Sequence, residues 1–202
     1  MAADYAKPLR EEDADPDPVR QFDAWFEEAG VRAPEAAALA TASADGAPSV
    51  RMVLVKETGE GGFAFFTNYE SRKGTELAVN PRAALLFHWD PVGRQVRIEG
   101  PVERLEADES AAYVRTRPRA SQLSALASPQ SRAVADRREL ERCVEELSAR
   151  HEGAELPVPS YWGGFRLLPE RFEFWQQRED RLHDRLSYRR EDGGWLIERL
   201  AP

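Results

Sequence analysis

Apolar residues follow helical spacing in two stretches of the chain, and elsewhere they alternate with polar ones or run in short stretches bounded by turn residues. Asp17-Pro18 opens a helix, with Asp17 as a candidate N-cap and Pro18 in the first turn. Phe22, Trp25, Phe26 and Ala29 recur at helical spacing and form its buried stripe. Strands are predicted over 37–42, 48–57 and 62–67, with the turn signal Ala44-Asp-Gly46 after the first. Residues 71–79 read as a short helix, capped by Ser71 and stopped by Asn80-Pro81. Residues 83–89 and 95–105 form a hairpin across Asp90-Pro-Val-Gly93. Helical material fills 107–150, broken at Pro118 and at Ser128-Pro129. Its last piece, predicted from Ser131 to His151, carries Val134, Leu140, Val144 and Leu147 on one stripe. Four more strands are expected near 163–168, 171–178, 183–190 and 194–200, the last pair joined across Asp192-Gly-Gly194.

Strands joined mostly by short turns, with helices inserted between them, predict a mainly β chain with helices (α+β): an antiparallel barrel decorated by helices. Regular strand–helix alternation is missing, and so are GxGxxG and P-loop motifs and any His/Cys cluster at metal-ligand spacing, so no metal is expected. Residues 1–17 are acidic and proline-containing and read as a flexible arm that includes Tyr5, leaving 18–202 as a single domain.

Composition narrows the function. The chain has 202 residues, 42% hydrophobic and 32% charged, and no apolar run approaches the roughly 20 residues a membrane-spanning helix needs, so no membrane partner is expected. The N-terminus carries no basic region followed by an apolar stretch. The single cysteine, Cys143, fits a reducing compartment and a packed thiol on a helix, so a cytoplasmic protein is expected. A net charge of −8 argues against nucleic acid as a partner. Positive clusters nonetheless survive at 51–56, 72–73, 115–119 and 181–185, a pattern suited to small anionic ligands.

Several of these clusters fall where an anion could be held. Strict alternation along Arg51-Met-Val-Leu-Val-Lys56 puts Arg51 and Lys56 on opposite faces; either the strand bulges or the two cations serve different anions. Residues 66–73 join a strand end to a helix start, where unpaired N–H groups and Arg72-Lys73 suit a phosphate. Tyr113, Arg117 and Ser121 stand at intervals of four across the Pro118 boundary and could converge on one anion, and Gln130-Ser131 sits at another predicted helix start. The tail of the segment 172–185 reads as a strand with Arg181, His183 and Arg185 on one face near Trp175. That face is either a solvated edge or a wall for a flat, anionic ring.

The segment 172–185, with its Glu173/Trp175 pair and Arg181-Leu-His-Asp-Arg185, resembles the C-terminal signature of the pyridoxine (pyridoxamine) 5′-phosphate oxidases. The resemblance runs from about Pro18 to Pro202 and takes in residues 51–56, 65–73, 80–82, 94–96, 117–121, 128–131 and 159–166. It implies an FMN-binding split barrel, a homodimer with flavin at the interface. By matched motif, Arg51, Met52, Val53, Leu54, Val55 and Lys56 would run along the flavin. Arg72, Lys73, Gln130 and Ser131 would hold its phosphate and ribityl chain, and Phe66, Thr67, Gln95, Trp175 and Arg185 would complete the pocket. Lys56, Tyr113, Arg117 and Ser121 match the grip on the substrate phosphate. Arg181 and His183 match the catalytic residues set against the pyridine ring. The implied reaction oxidises pyridoxamine or pyridoxine 5′-phosphate to pyridoxal 5′-phosphate, with hydride passing from substrate C4′ to flavin N5 and dioxygen reoxidising the flavin to give hydrogen peroxide. The alternatives are a related flavin oxidase acting on a phenazine-type substrate and a non-catalytic carrier of FMN or pyridoxal phosphate. Phe66 stands where many relatives have tyrosine.

Overall fold

The computed structural model describes residues 8–202; Tyr5 and the rest of 1–7 lie outside the described residues. In chain order the elements are α1 (Pro18–Glu27), β1 (Ala36–Ala42), β2 (Pro48–Glu57), β3 (Phe63–Asn68), α2 (Arg72–Val79), β4 (Arg82–Trp89) and β5 (Arg94–Arg104). There follow α3 (Ala107–Thr116), α4 (Arg119–Ala127), α5 (Arg137–Arg150), β6 (Trp162–Leu167), β7 (Arg171–Gln176), β8 (Asp184–Glu191) and β9 (Gly194–Arg199). The strands join in the order β4-β1-β2-β3-β6-β5-β7-β8-β9, and a further β4–β5 pairing closes six of them into an antiparallel barrel. The predicted helix-decorated barrel is what forms.

Closure depends on β5, whose two edges do different work. One edge pairs with β4 from Arg94 to Pro101. On the other edge, Arg94–Glu99 pair with β7 and Val102–Arg104 pair with β6. The barrel is split at this handover. Gly100 sits there because a Cβ at that position would lie 1.9 Å from the Leu168 carbonyl oxygen, which no side chain can accommodate.

Inward-facing residues of the strands meet the stripe of α1. Phe22, Phe63, Phe87, Trp89, Phe172 and Phe174 are almost wholly buried, and Phe22 packs edge-on against Phe63 and Phe87 with centroids 5.1 and 5.0 Å away. Each such ring contributes about 1.5–3 kcal/mol of burial energy. Helix α1 starts as predicted, with the Asp17 carboxylate accepting the Val19 N–H at 2.9 Å. The outer face of β2, β1 and β4 is different. Register aligns Met52, Ala38 and Leu86 across it, and Val50, Met52 and Leu54 are 69%, 65% and 48% exposed. A sheet face this apolar and bare marks an interaction surface.

Three expectations are corrected. Residues 131–136 are not helical: α5 begins at Arg137, because Asp136 caps it by accepting the Glu139 N–H at 2.8 Å, and Ser131 adopts a left-handed φ of 71°. Arg181, His183 and Arg185 do not share a strand face, since Glu179–Arg181 form a 3₁₀ turn with Arg181 at φ 60° and β8 starts only at Asp184. The arm is docked, not free, over residues 8–17. Leu9 is buried, Arg199 bonds both Glu11 and the Leu9 carbonyl, and Tyr188 donates to the Asp15 carbonyl at 2.9 Å.

Candidate flavin and substrate site

Helix α2 is positioned by its own cap. The Ser71 hydroxyl donates to the Asn68 carbonyl at 2.6 Å and accepts the Gly74 N–H, which fixes the turn from β3 into the helix. Close approach forces the rest, because a Cβ on Gly74 would lie 2.2 Å from the Tyr69 carbonyl oxygen. The first turn then delivers Arg72 and Lys73. The Lys73 ammonium donates to Gln130 Oε1 at 2.8 Å, Thr67 Oγ1 at 3.0 Å and Ser71 Oγ at 3.3 Å. Burial lowers its pKa, with the Arg51 charge lowering it further, to about 8.

Arg51 reaches the same place from β2. Its guanidinium donates to the hydroxyls of Thr41 and Ser49 and to Glu76 Oε2 at 3.3 Å, while Arg72 Nε reaches Glu76 Oε1 at 2.8 Å. Burial pushes the Glu76 carboxyl up, but hydrogen bonds from Ser49, Thr41, Arg72 and Arg51 outweigh it and hold the group down at about 2. Arg51, Thr67, Arg72, Lys73 and Gln130 therefore form one cradle. Lys56 goes elsewhere: at the register shift between Val55 and Glu57 it pairs with Glu35 at 3.3 Å. The parity of the strand thus divides the two cations, and the strand also bulges.

A second group lies on the outer face of β5, β7 and β8, where register aligns Gln95, Trp175 and Arg185. Together with Leu86, Arg97 and Glu173 they line a pocket of about 230 Å³. Buried Glu173 accepts from Arg97 and, at 2.9 Å, from Arg185 Nε, whose pKa that bond raises. His183 lies against Trp175 with ring centroids 4.6 Å apart, and its Nδ1 accepts the Arg178 N–H at 3.1 Å. Arg181 stays exposed at the end of the turn.

The third group is aromatic. Phe66 stacks on Tyr113 at 3.7 Å, Tyr113 lies parallel to Trp162 at 6.3 Å, and the Arg117 guanidinium sits 4.9 Å over Trp162. Arg117 Nη1 is buried without a hydrogen-bond partner, which marks it as awaiting an acceptor. Ser121 lies in the first turn of α4, its N–H bonded to the Pro118 carbonyl at 2.8 Å, and exposed Ser131 is not brought to the cradle by any contact. Met52 and Leu54 lie on the exposed face of β2, while Val53 and Val55 face inward.

Two acids hold the arginines of these groups, and only Glu173 is among the residues that the sequence singles out. Glu76 follows Arg72 by four residues, a detectable helical ion pair, but its link to Arg51 is non-local. Glu173 was legible as part of the signature but not as the partner of two arginines.

A three-cation cradle at a helix start fits a phosphate monoester, and a pocket beside Trp175 and Arg185 fits a planar ring. On a split barrel these features suit a ligand that combines a phosphate with a planar ring. The chain matches the pyridoxamine 5′-phosphate oxidase family over residues 26–151 and the pyridoxine 5′-phosphate oxidase C-terminal dimerisation region over 162–202. It is 56% identical over 197 residues to a pyridoxine/pyridoxamine 5′-phosphate oxidase of Rubrobacter xylanophilus, covering 96% of this chain and 91% of that one. Among solved structures, PhzG from Burkholderia lata, in complex with tetrahydrophenazine-1-carboxylic acid, superposes with a TM-score of 0.89 at 34% identity, covering 100% of this chain and 98% of that one. An FMN-binding protein from Nostoc punctiforme shares the fold, with a TM-score of 0.71 at 19% identity over 93% of this chain and 100% of its own. The chain belongs to the pyridoxamine 5′-phosphate oxidase family and is an enzyme of it, and membership points to a flavin cofactor and a homodimer. Among the described residues no helix is long and apolar enough to cross a membrane, and no group of three or more His, Cys, Asp or Glu could hold a metal ion.

Proposed function

We propose that the protein oxidises pyridoxamine 5′-phosphate or pyridoxine 5′-phosphate to pyridoxal 5′-phosphate with FMN as cofactor. The observation that carries this reading is the presence of two separate anion seats: the partnered cradle at Arg51, Arg72 and Lys73, and the unpartnered Arg117 above Trp162. A flavin mononucleotide and a phosphorylated pyridine need one seat each. Arg51, Thr67, Arg72, Lys73 and Gln130 would hold the cofactor's phosphate, and Ser131, next to Gln130 in the chain, would have to turn toward it. Gln95, Trp175 and Arg185, with the β2 segment 51–56 and Phe66, would flank the ring. When bound, FMN would accept the hydride of substrate C4′ at N5 and return the electrons to dioxygen as hydrogen peroxide.

Arg117, Tyr113, Ser121 and Lys56 would bind the substrate phosphate. Since Lys56 is engaged by Glu35 while Arg117 lies over Trp162, a second copy docked on the bare face of β2, β1 and β4 is the arrangement that would let them serve one site. His183 and Arg181 would orient the pyridine ring and stabilise charge on it. With Nδ1 already accepting a backbone N–H, His183 would present Nε2–H to the ring as a donor.

The test is aerobic turnover of pyridoxamine 5′-phosphate by the FMN-loaded protein, followed by aldehyde absorbance and peroxide release. Bound flavin without product would rule out this activity and leave a carrier or an oxidase of another substrate. The likeness to PhzG supports a second reading, a phenazine-type substrate that carries a carboxylate and no phosphate, and it predicts turnover of a phenazine precursor but none of pyridoxamine 5′-phosphate.

A further inference from the structure

Glu76 is the one buried acid in the cradle, and it faces the cations from behind. It is 5% exposed, and both of its oxygens are engaged: Oε2 accepts from Thr41 at 2.5 Å, Ser49 at 2.6 Å and Arg51 at 3.3 Å, while Oε1 accepts from Arg72 at 2.8 Å. The donors come from β1, β2 and α2, so the carboxylate ties together the three elements that meet at the cradle. A carboxylate so placed cannot itself touch a phosphate, which it would repel. We propose that Glu76 is a positioning residue for the flavin phosphate: it holds the Arg51 and Arg72 guanidinium groups in place and balances their charge, so that the cradle stands assembled before the anion arrives. The proposal rests on the flavin reading above.

Two consequences follow from the geometry. Arg51, Arg72 and Lys73 carry three positive charges and Glu76 removes one, leaving two, close to the −1.5 to −2 of a phosphate monoester at neutral pH. Lys73 also depends on this balance. Around it stand Thr67 from β3, Ser71 at the α2 cap, Gln130 from the loop before α5, Arg51 from β2 and Glu76 from α2 itself. Burial and Arg51 draw its proton off at lower pH, and Glu76 opposes them. Without the Glu76 charge, Lys73 would lose its proton at a lower pH still, and the cradle would lose a cation under conditions where the native one keeps it.

The experiment is the pH dependence of FMN affinity, measured by quenching of flavin fluorescence on the apoprotein between pH 6 and 10, for the native chain and Glu76→Gln. The native dissociation constant should be lowest near pH 7, weaken toward pH 6 as the FMN phosphate takes up its second proton, and rise again above about pH 8 as Lys73 deprotonates. In Glu76→Gln it should be about tenfold weaker at pH 7, the scale of one charged hydrogen bond, and its rise should begin at lower pH. A variant with native affinity and native pH profile, or one that binds FMN more tightly, overturns the proposal. If circular dichroism shows Glu76→Gln unfolded, Glu76→Asp decides. It keeps the charge but retreats from Arg72, so the rise should stay at the native pH with affinity several-fold weaker, and native affinity or a displaced rise overturns the proposal. A native protein that takes up no FMN at all sinks the flavin reading along with it, a result distinct from FMN uptake indifferent to Glu76.

Discussion

At the first turn of α2 every cation has a partner within one chain, whereas the row Gln95, Trp175 and Arg185 opens onto solvent beside a bare apolar sheet. Arg185 too is held within the chain, by Glu173 and the Ala201 carbonyl, so the difference lies in the open pocket that the second region lines. Lys73 is buried among three acceptors, so its geometry is set before any ligand binds. Arg181 and His183 sit on and just after a 3₁₀ turn, where the Arg178 N–H donates to His183 and Arg181 is exposed. The difference teaches a division of labour. On the proposed reading, one chain would supply the phosphate cradle with its cations already held in place, whereas the surface that would face a ring would be completed by a second copy packed over β2, β1 and β4.

The largest effect should come from breaking that completion. Met52→Asp puts a charge on the bare face, and burying an unpaired carboxylate there costs several kcal/mol. The dimer should dissociate at least hundredfold more readily in size-exclusion chromatography with light scattering, with the circular dichroism of the folded chain unchanged. A dimer of native stability would show that the seam lies elsewhere. Next is Arg117→Ala, which should raise the KM for the phosphorylated substrate roughly thirtyfold or more, as expected for a charged hydrogen bond, with FMN affinity nearly unchanged. Loss of flavin in this variant would mean that the two anion seats have been assigned the wrong way round. Arg181→Ala should lower kcat about tenfold and flavin binding less, the effect of removing one electrostatic contact to the ring; a native rate would remove its proposed role.

The smallest effect concerns acid stability of the cradle. The folded Glu76 carboxyl sits at about 2 against an ordinary 4.5, so between these values the unfolded chain binds more protons than the folded one. Its contribution is therefore complete above about pH 4.5 and is lost as pH falls toward 2. Thermal melting followed from pH 5 to pH 2.5 should show a shallower decline in Glu76→Gln than in the native chain, and equal slopes would contradict the assignment.

Much of this was legible in the residues because the signals were local. Asp17-Pro18, Ser71 and the Asp90–Gly93 turn set their elements by short-range hydrogen bonds, and each of the nine strands lay close to its expected position. The misreadings have equally physical causes. Gln130-Ser131 looked like a helix start because serine caps helices, but Asp136, five residues on, has the geometry to do so. Arg181 to Arg185 alternates like a strand, yet the His183 imidazole captures a backbone N–H and bends the chain. Nothing local announces that Glu76 meets Arg51 across 25 residues, or that Glu173 serves both Arg97 and Arg185, because both depend on how the barrel closes.

The handover at Gly100 also bears on where the chain can be cut. Strand β6, supplied by the C-terminal family segment, fills the gap between β3 and β5, both of which come from the N-terminal one. Ending translation before Trp162 would leave two open, hydrogen-bond-hungry strand edges, the kind that recruit neighbouring chains into aggregates. The segment named for joining subunits is thus first of all the stave that closes each subunit, and a truncated product would be expected in inclusion bodies rather than in solution as a monomer.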